Sequence, residues 1–311
     1  MIIEKEIELT FFTTSQNENI FRHTFGSATL GFCCNDRWID SNTPDYYRFP
    51  YKIEGIIIND SLEGAYLQLD ELLKDEVFKR VKGAVILFGN CGNENTFMKY
   101  IRKKFQVPFI GGSFAIGEDG VAGRILPNSN QVSILLITDD RYAFEWESKN
   151  IHNNVLEQAI VPGNHPRYIE NFIIKDNVIR AFDYIQEIAA QKKVESGLCE
   201  RIAISDSHGR NIHLIPDGLN FKCGADLPED RKILIRYTSV ENAYMEMSDF
   251  FSSDNSLIFG CAGLKSIIAG RRLSTGKNSV GLFMFGEVTG INGYPDFANL
   301  MLTKVRVLPN I

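Results

Sequence analysis

Two short turns in this chain combine the residue types from which a small binding site is built. Phe88-Gly89-Asn90-Cys91-Gly92 and Phe259-Gly260-Cys261-Ala262-Gly263 each run an apolar stretch into glycines that bracket a thiol. Glycine there admits positive φ and close backbone approach, leaving N–H groups that suit a carboxylate or phosphate. The same glycines also serve a tight strand exit and nothing more. Further polar groups follow each turn: Gly111, Gly112, Ser113, Gly117 and Glu118 in the first half, Gly286, Glu287 and Asn299 in the second. Paired carboxylates can act as acid and base, cap local backbone amides, or bind an amine. Asn130 and Asn299, each just before a final strand, are typical turn residues.

Cys261 is the strongest candidate for a reactive thiol, because it ends a strand before an expected helix whose first amides would lower its pKa. That location equally suits an inert buried cysteine, and no histidine lies near it in sequence. No catalytic residue is therefore assigned. Ser205-Asp206-Ser207-His208-Gly209 places a serine, an aspartate and a histidine in one loop, whereas a catalytic triad assembles from separated segments, so it reads as a polar turn. Neither phosphate-loop glycine pattern occurs. The six cysteines include no C-x-x-C pair, and the five histidines have no metal spacing, so neither a metal nor a cofactor is expected and the thiols are expected to be reduced.

The turns belong to a longer correspondence. Phe88 and Phe259 are 171 residues apart. At an offset of 169, Gly112, Phe114, Gly117, Glu118 and Asn130 align with Gly281, Phe283, Gly286, Glu287 and Asn299. Average composition gives roughly one identity over a stretch of this length, so five predict an internal duplication.

Elements that would position these residues can be read from periodicity. Strands are expected within Ile2–Thr13, around Thr24–Cys34 and at Gly55–Ile58, with a polar loop from Asn35 to Pro50. Ser61 caps a helix with Leu62, Ala65, Tyr66, Leu69, Leu72 and Leu73 on its apolar face, ending before Gly83; Ala84–Phe88 is a buried strand and Glu94–Phe105 a helix ended before Pro108. Phe109–Phe114, Gly120–Leu126 and Val132–Thr138 then form strands of one sheet. Turn residues from Asn150 to Arg167 suggest a connection, dividing the chain into 1–150 and 151–311. A long helix is expected between Asn177 as cap and Gly197 as stop, then strands at Arg201–Ser205, Asn211–Ile215 and Lys232–Arg236 and a helix at Val240–Phe251. The fold class is mixed α/β (α+β): two similar halves, each a mixed sheet flanked by helices.

Composition narrows the function classes. The chain of 311 residues is 44% apolar and 23% charged, which is globular rather than disordered. A net charge of −6 with scattered cations argues against a nucleic-acid partner. Met1 leads straight into Ile2-Ile3-Glu4-Lys5-Glu6 and no apolar run approaches about 18 residues, so no membrane span and a cytoplasmic location are expected.

Ser256–Gly263, followed by Gly281–Val288 and Phe297-Ala298-Asn299, resembles the C-terminal part of the FIST family, with its F-x-C-x-G-R, G-F-x-x-x-G-E-I and F-x-N segments. Phe109–Glu118 is similar to that family's N-terminal I-G-C-S-T-x-G-E segment, and Leu227-Pro228-Glu229-Asp230 to its x-V-P-E-G approach to a strand. The likeness spans about Ile53 to Val307. Leu264 stands where the motif has Arg and Phe114 where it has Thr, with Arg271 and Arg272 as candidate replacement cations. The resemblance implies a cytoplasmic sensory module of a signal-transduction system. Its expected partners are a small polar metabolite such as an amino acid and a signalling output protein or domain. The expected ligand-binding residues are Cys91, Gly111, Gly112, Ser113, Gly117, Glu118, Cys261, Gly263, Gly286, Glu287 and Asn299. The alternatives are an enzyme using Cys261 or the Glu118 and Glu287 carboxylates, and a ligand-free interaction scaffold.

Overall fold

Continuous apolar runs such as Ala84–Phe88 and Leu257–Phe259 must be covered on both faces, and the fold is organised around that requirement. The computed structural model describes residues 2–12, 24–28, 31–34, 37–40, 46–89, 93–113, 131–268, 270–284, 286–289 and 296–310. It is a mixed α+β fold, 25% helical and 46% strand, in which sheets set the frame and the described residues include six α-helices.

Two large sheets lie face to face. The first runs in the order Thr24–Ala28, Ile2–Phe12, Tyr46–Ser61, Gln131–Ile137, Gly83–Phe88, Phe109–Ser113, Glu287–Thr289, Asp296–Ala298. The second runs Arg37–Asp40, Gly31–Cys34, Val280–Met284, Ser256–Cys261, Met301–Pro309, Tyr142–Asn150. Val85, Leu87, Ile110 and Leu135 point inward to meet Leu257, Phe259, Leu282 and Val305 in a shared core. Alternate residues face the other way. Ile86, Phe88 and Ile134 pack on the helices Leu62–Leu72 and Glu94–Lys104, while Ile258 and Phe283 pack on Val240–Phe251 and Ala262–Ile267. The result is a helix, sheet, sheet, helix stack, with strand alternation assigning each side chain to its layer.

Both sheets draw strands from either side of residue 150. Glu287–Thr289 pairs antiparallel with Phe109–Ser113, and Gly31–Cys34 pairs antiparallel with Val280–Met284. Within the sheets, two parallel pairs correspond. Phe88 lies opposite Ser113 in one and Phe259 opposite Leu282 in the other, which reproduces the offsets of 171 and 169. The strand that pairs antiparallel with each also corresponds, Ile86 facing Ile134 and Leu257 facing Val305.

Between the two halves of this framework, residues 154–237 form a six-stranded sheet, a three-stranded sheet and the helix Ala181–Gln191, whose apolar faces join the core beneath the first sheet. Five expectations are corrected here. Thr24–Cys34 is two strands in different sheets, and the Asn35–Pro50 loop contains the outermost strand Arg37–Asp40 and the start of Tyr46–Ser61. The turn-rich stretch after Asn150 carries the strand Asn154–Ile160, whose polar Asn154 and Gln158 are exposed. Asn177 opens a strand rather than capping a helix, and the helix runs Ala181–Gln191, short of Gly197. The strand expected at Asn211–Ile215 is divided into Asn211–Ile212 and Leu214–Asp217. Ser61 does cap its helix, its Oγ accepting from Gly64 N at 3.1 Å.

Candidate functional site

The chain crosses from one large sheet to the other between Met284 and Glu287, and the candidate site lies at that crossing. Glu287 lies past the end of the Val280–Met284 strand and opens the next one, beside Gly112. Its carboxyl is fully buried. Oε2 accepts a long hydrogen bond from Met301 N, 3.4 Å, and Oε1 has no hydrogen-bond partner. The Cys261 thiol lies against this carboxyl, with the N–H groups of Leu300 and Gly263 directed at its sulfur. Burial pushes the pKa of both groups well above their ordinary values, and the neighbouring carboxyl raises the thiol further. The expected lowering at Cys261 is thus reversed: the following helix, Ala262–Ile267, is short, and its amide N–H groups are outweighed by desolvation and by Glu287.

The Phe109–Ser113 strand forms one wall. Gly111 has φ +140°, and a Cβ there would lie 1.8 Å from Ile86 O, so only glycine fits. A Cβ on Gly112 would lie 2.3 Å from Gly286 O; the absent side chain lets the two chain segments touch. Ser113 N donates to Gly286 O at 3.0 Å, and its Oγ donates to Glu94 Oε1 at 3.1 Å in a buried contact. Glu94 and Asn95 are the first buried residues of the Glu94–Lys104 helix, and Asn95 Nδ2 is buried without a partner.

The inserted module supplies the opposite wall. Buried Asn299 donates through its N–H to Asn211 O at 3.0 Å and accepts at Oδ1 from His213 N at 3.4 Å. Leu300, held at φ +54°, is fixed by Asn211 Nδ2, which donates to its carbonyl at 3.2 Å. Asn211 exchanges side-chain hydrogen bonds with Asn150, at 2.7 and 2.9 Å, and touches His152 Nδ1 at 3.0 Å, while His152 Nε2 meets Glu200 O at 2.7 Å. Burial lowers the His152 pKa to about 4, so it stays neutral near pH 7. Glu200 Cγ and Cys261 Sγ both flank Gly263, 3.4 and 3.7 Å from where its Cβ would be.

The fold therefore brings together Gly111, Gly112, Ser113, Cys261, Gly263, Gly286, Glu287 and Asn299. Cys91, Gly117 and Glu118, with Phe114 and Asn130, lie outside the described residues. Leu264 is core, packed with Ile267 and Phe283, and Arg271 pairs with Glu241, so neither carries a cation to the site. The Ser205–Gly209 segment is a turn in which Asp206 accepts from His208 N and binds Arg210. Sequence reasoning missed Glu94, Glu200, Asn211 and His213. The one signal was two polar residues, Asn211 and His213, inside an apolar strand stretch. Among the described residues no cluster of three His, Cys, Asp or Glu could hold a metal, and no helix is long and apolar enough to cross a membrane. No family model matches the chain, and no curated protein matches it.

Proposed function

We propose that the chain is a small-ligand sensory module of the FIST type, cytoplasmic, which binds an amino-acid-like metabolite at the sheet crossing and reports to a signalling output partner. The observation that carries this reading is the Glu287 carboxyl, fully buried with one oxygen unpartnered and, among the described residues, no cation acting on it. A buried carboxyl in that state is costly unless it keeps a proton or receives a positive donor, and a ligand ammonium is such a donor. The convergence of three chain regions on Glu287 supports the sensory part, because a ligand bound there would bias their relative placement. The nucleophilic alternative is less well supported: a thiol pushed up by burial and by an adjacent carboxyl is poorly ionised at neutral pH. Matching registers in the two parallel strand pairs support a duplication as the origin of the framework.

A thermal-shift screen of amino acids and related amines tests the reading, since saturation a hundredfold above Kd adds about 2.7 kcal/mol. Calorimetry on Glu287→Gln then follows the hit. Loss of roughly 1.5–3 kcal/mol of binding is expected for a charged hydrogen bond. Unchanged affinity would move the ligand away from Glu287.

A further inference from the structure

One side chain in the inserted module is left over when the network around Asn211 is satisfied. His213 Nε2 is buried with no hydrogen-bond partner. Its backbone is fixed on both sides, N–H to Asn299 Oδ1 at 3.4 Å and carbonyl to Gly224 N at 2.9 Å. Glu200 Oε1 lies 3.9 Å from Nε2, beyond hydrogen-bonding distance. Burial holds the imidazole below its ordinary pKa, so the pair is a neutral ring facing a carboxylate across a gap. The gap is not isolated. Glu200 Cγ and Cys261 Sγ both lie beside Gly263, and Asn299 Oδ1 accepts from His213 N at the same junction.

An oxygen placed about 2.8 Å from both Nε2 and Oε1 would see them at roughly 90°, within reach of one hydroxyl that bonds to the imidazole and donates to the carboxylate. A ligand carboxylate would be repelled by Glu200, and an ammonium would require the ring to be an acceptor, whereas a hydroxyl suits either tautomer. We infer that His213 and Glu200 hold a hydroxyl of the ligand whose ammonium meets Glu287. This rests on the reading of the crossing as an amine-binding site and adds its selectivity: the preferred ligands are hydroxylated amino acids or amino alcohols.

The test uses matched probes, L-serine with L-alanine and L-homoserine with L-2-aminobutyrate, measured by calorimetry on the full chain, His213→Phe and Glu200→Gln. In one pair the hydroxylated member should bind roughly tenfold or more tightly, and either substitution should erase that advantage without weakening the deoxy partner. Glu200→Gln preserves shape, and thermal melts of both variants separate misfolding from lost contact. Equal affinities within both pairs, with binding still dependent on Glu287, would overturn the hydroxyl site and leave the amine site standing; a water then fills the gap. Tighter binding of L-2,3-diaminopropionate than of L-serine would make the gap a cation site instead. Failure of all these probes to bind would overturn both readings.

Discussion

The two parallel strand pairs have the same register and opposite polar chemistry at their exits. At the first, Ser113 Oγ donates to Glu94, so a buried carboxyl is answered from within the fold. At the second, the Glu287 carboxyl meets among the described residues a long Met301 amide contact, its own backbone N–H and the Cys261 thiol, and Oε1 stays unpartnered. Both carboxyls have lost water, but only one has received its replacement. The difference separates an exit whose buried carboxyl has a hydroxyl donor from one whose carboxyl keeps an unpartnered oxygen, the oxygen that the proposed ammonium would meet.

The pairs also differ inside the strands, and the largest expected effect comes from there. Gly111 faces Ile86 where the second pair sets Val280 opposite Leu257. Gly111→Ala should destabilise the protein by about 3 kcal/mol or more in urea denaturation, because the new Cβ meets backbone rather than a movable side chain. In the second pair, Gly260→Ala meets only the end of Leu302, at 3.0 Å, and should cost about 1 kcal/mol or less. Equal costs would remove the asymmetry.

Acid should act through the second junction. Between the ordinary histidine pKa near 6.5 and the folded value of about 4, the unfolded chain binds a proton at His152 that the native state refuses. Stability therefore falls as pH drops through that window, by about 3 kcal/mol in total. A pH series of unfolding curves should show this limb, and His152→Gln should flatten it. Glu287 has the opposite sign: its raised pKa means that stability falls as pH rises above the ordinary carboxyl range, and Glu287→Gln should remove that slope.

Ligand binding sharpens the contrast. An ammonium that needs Glu287 ionised must displace its proton, so affinity should strengthen with rising pH, by up to tenfold per unit below the raised pKa, about 1.4 kcal/mol. Titrations in buffers of different ionisation enthalpy would detect the released proton, and Glu287→Gln should bind without pH dependence. The smallest effect is expected at the first exit. Ser113→Ala strands Glu94 Oε1 and should cost about 1 kcal/mol of stability in urea denaturation.

The layered part of the fold was legible because strands covered on both faces are written as unbroken apolar runs, and the Ser61 cap because its chemistry is local. Tyr46–Ser61 was hidden by Pro50, which lies where the register with Ile2–Phe12 shifts and no regular ladder bond is demanded of it. The Asn177 strand was hidden by its turn: Lys175 and Asp176 both take positive φ between paired Ile174 and Asn177, without the Asn-Gly signature of such hairpins. Glu287 was readable as a carboxylate among glycines. Glu200, Asn211 and His213 were not, because they lie 74 to 87 residues before Glu287 and reach the crossing only through tertiary pairing of the inserted module.

The exchange of strands between the two sheets also constrains biosynthesis. The Phe109–Ser113 strand acquires its outer neighbour only when Glu287–Thr289 has left the ribosome, which at about 5–20 residues per second is roughly 10 to 35 seconds later. During that interval an open strand edge faces other nascent chains, a hazard that proteins ordinarily blunt. Gly111 and Gly112, which make the strand a poor template for β pairing, lie on that waiting edge. The residues that let two chain segments touch in the finished protein thus also sit on the edge that the unfinished one leaves open.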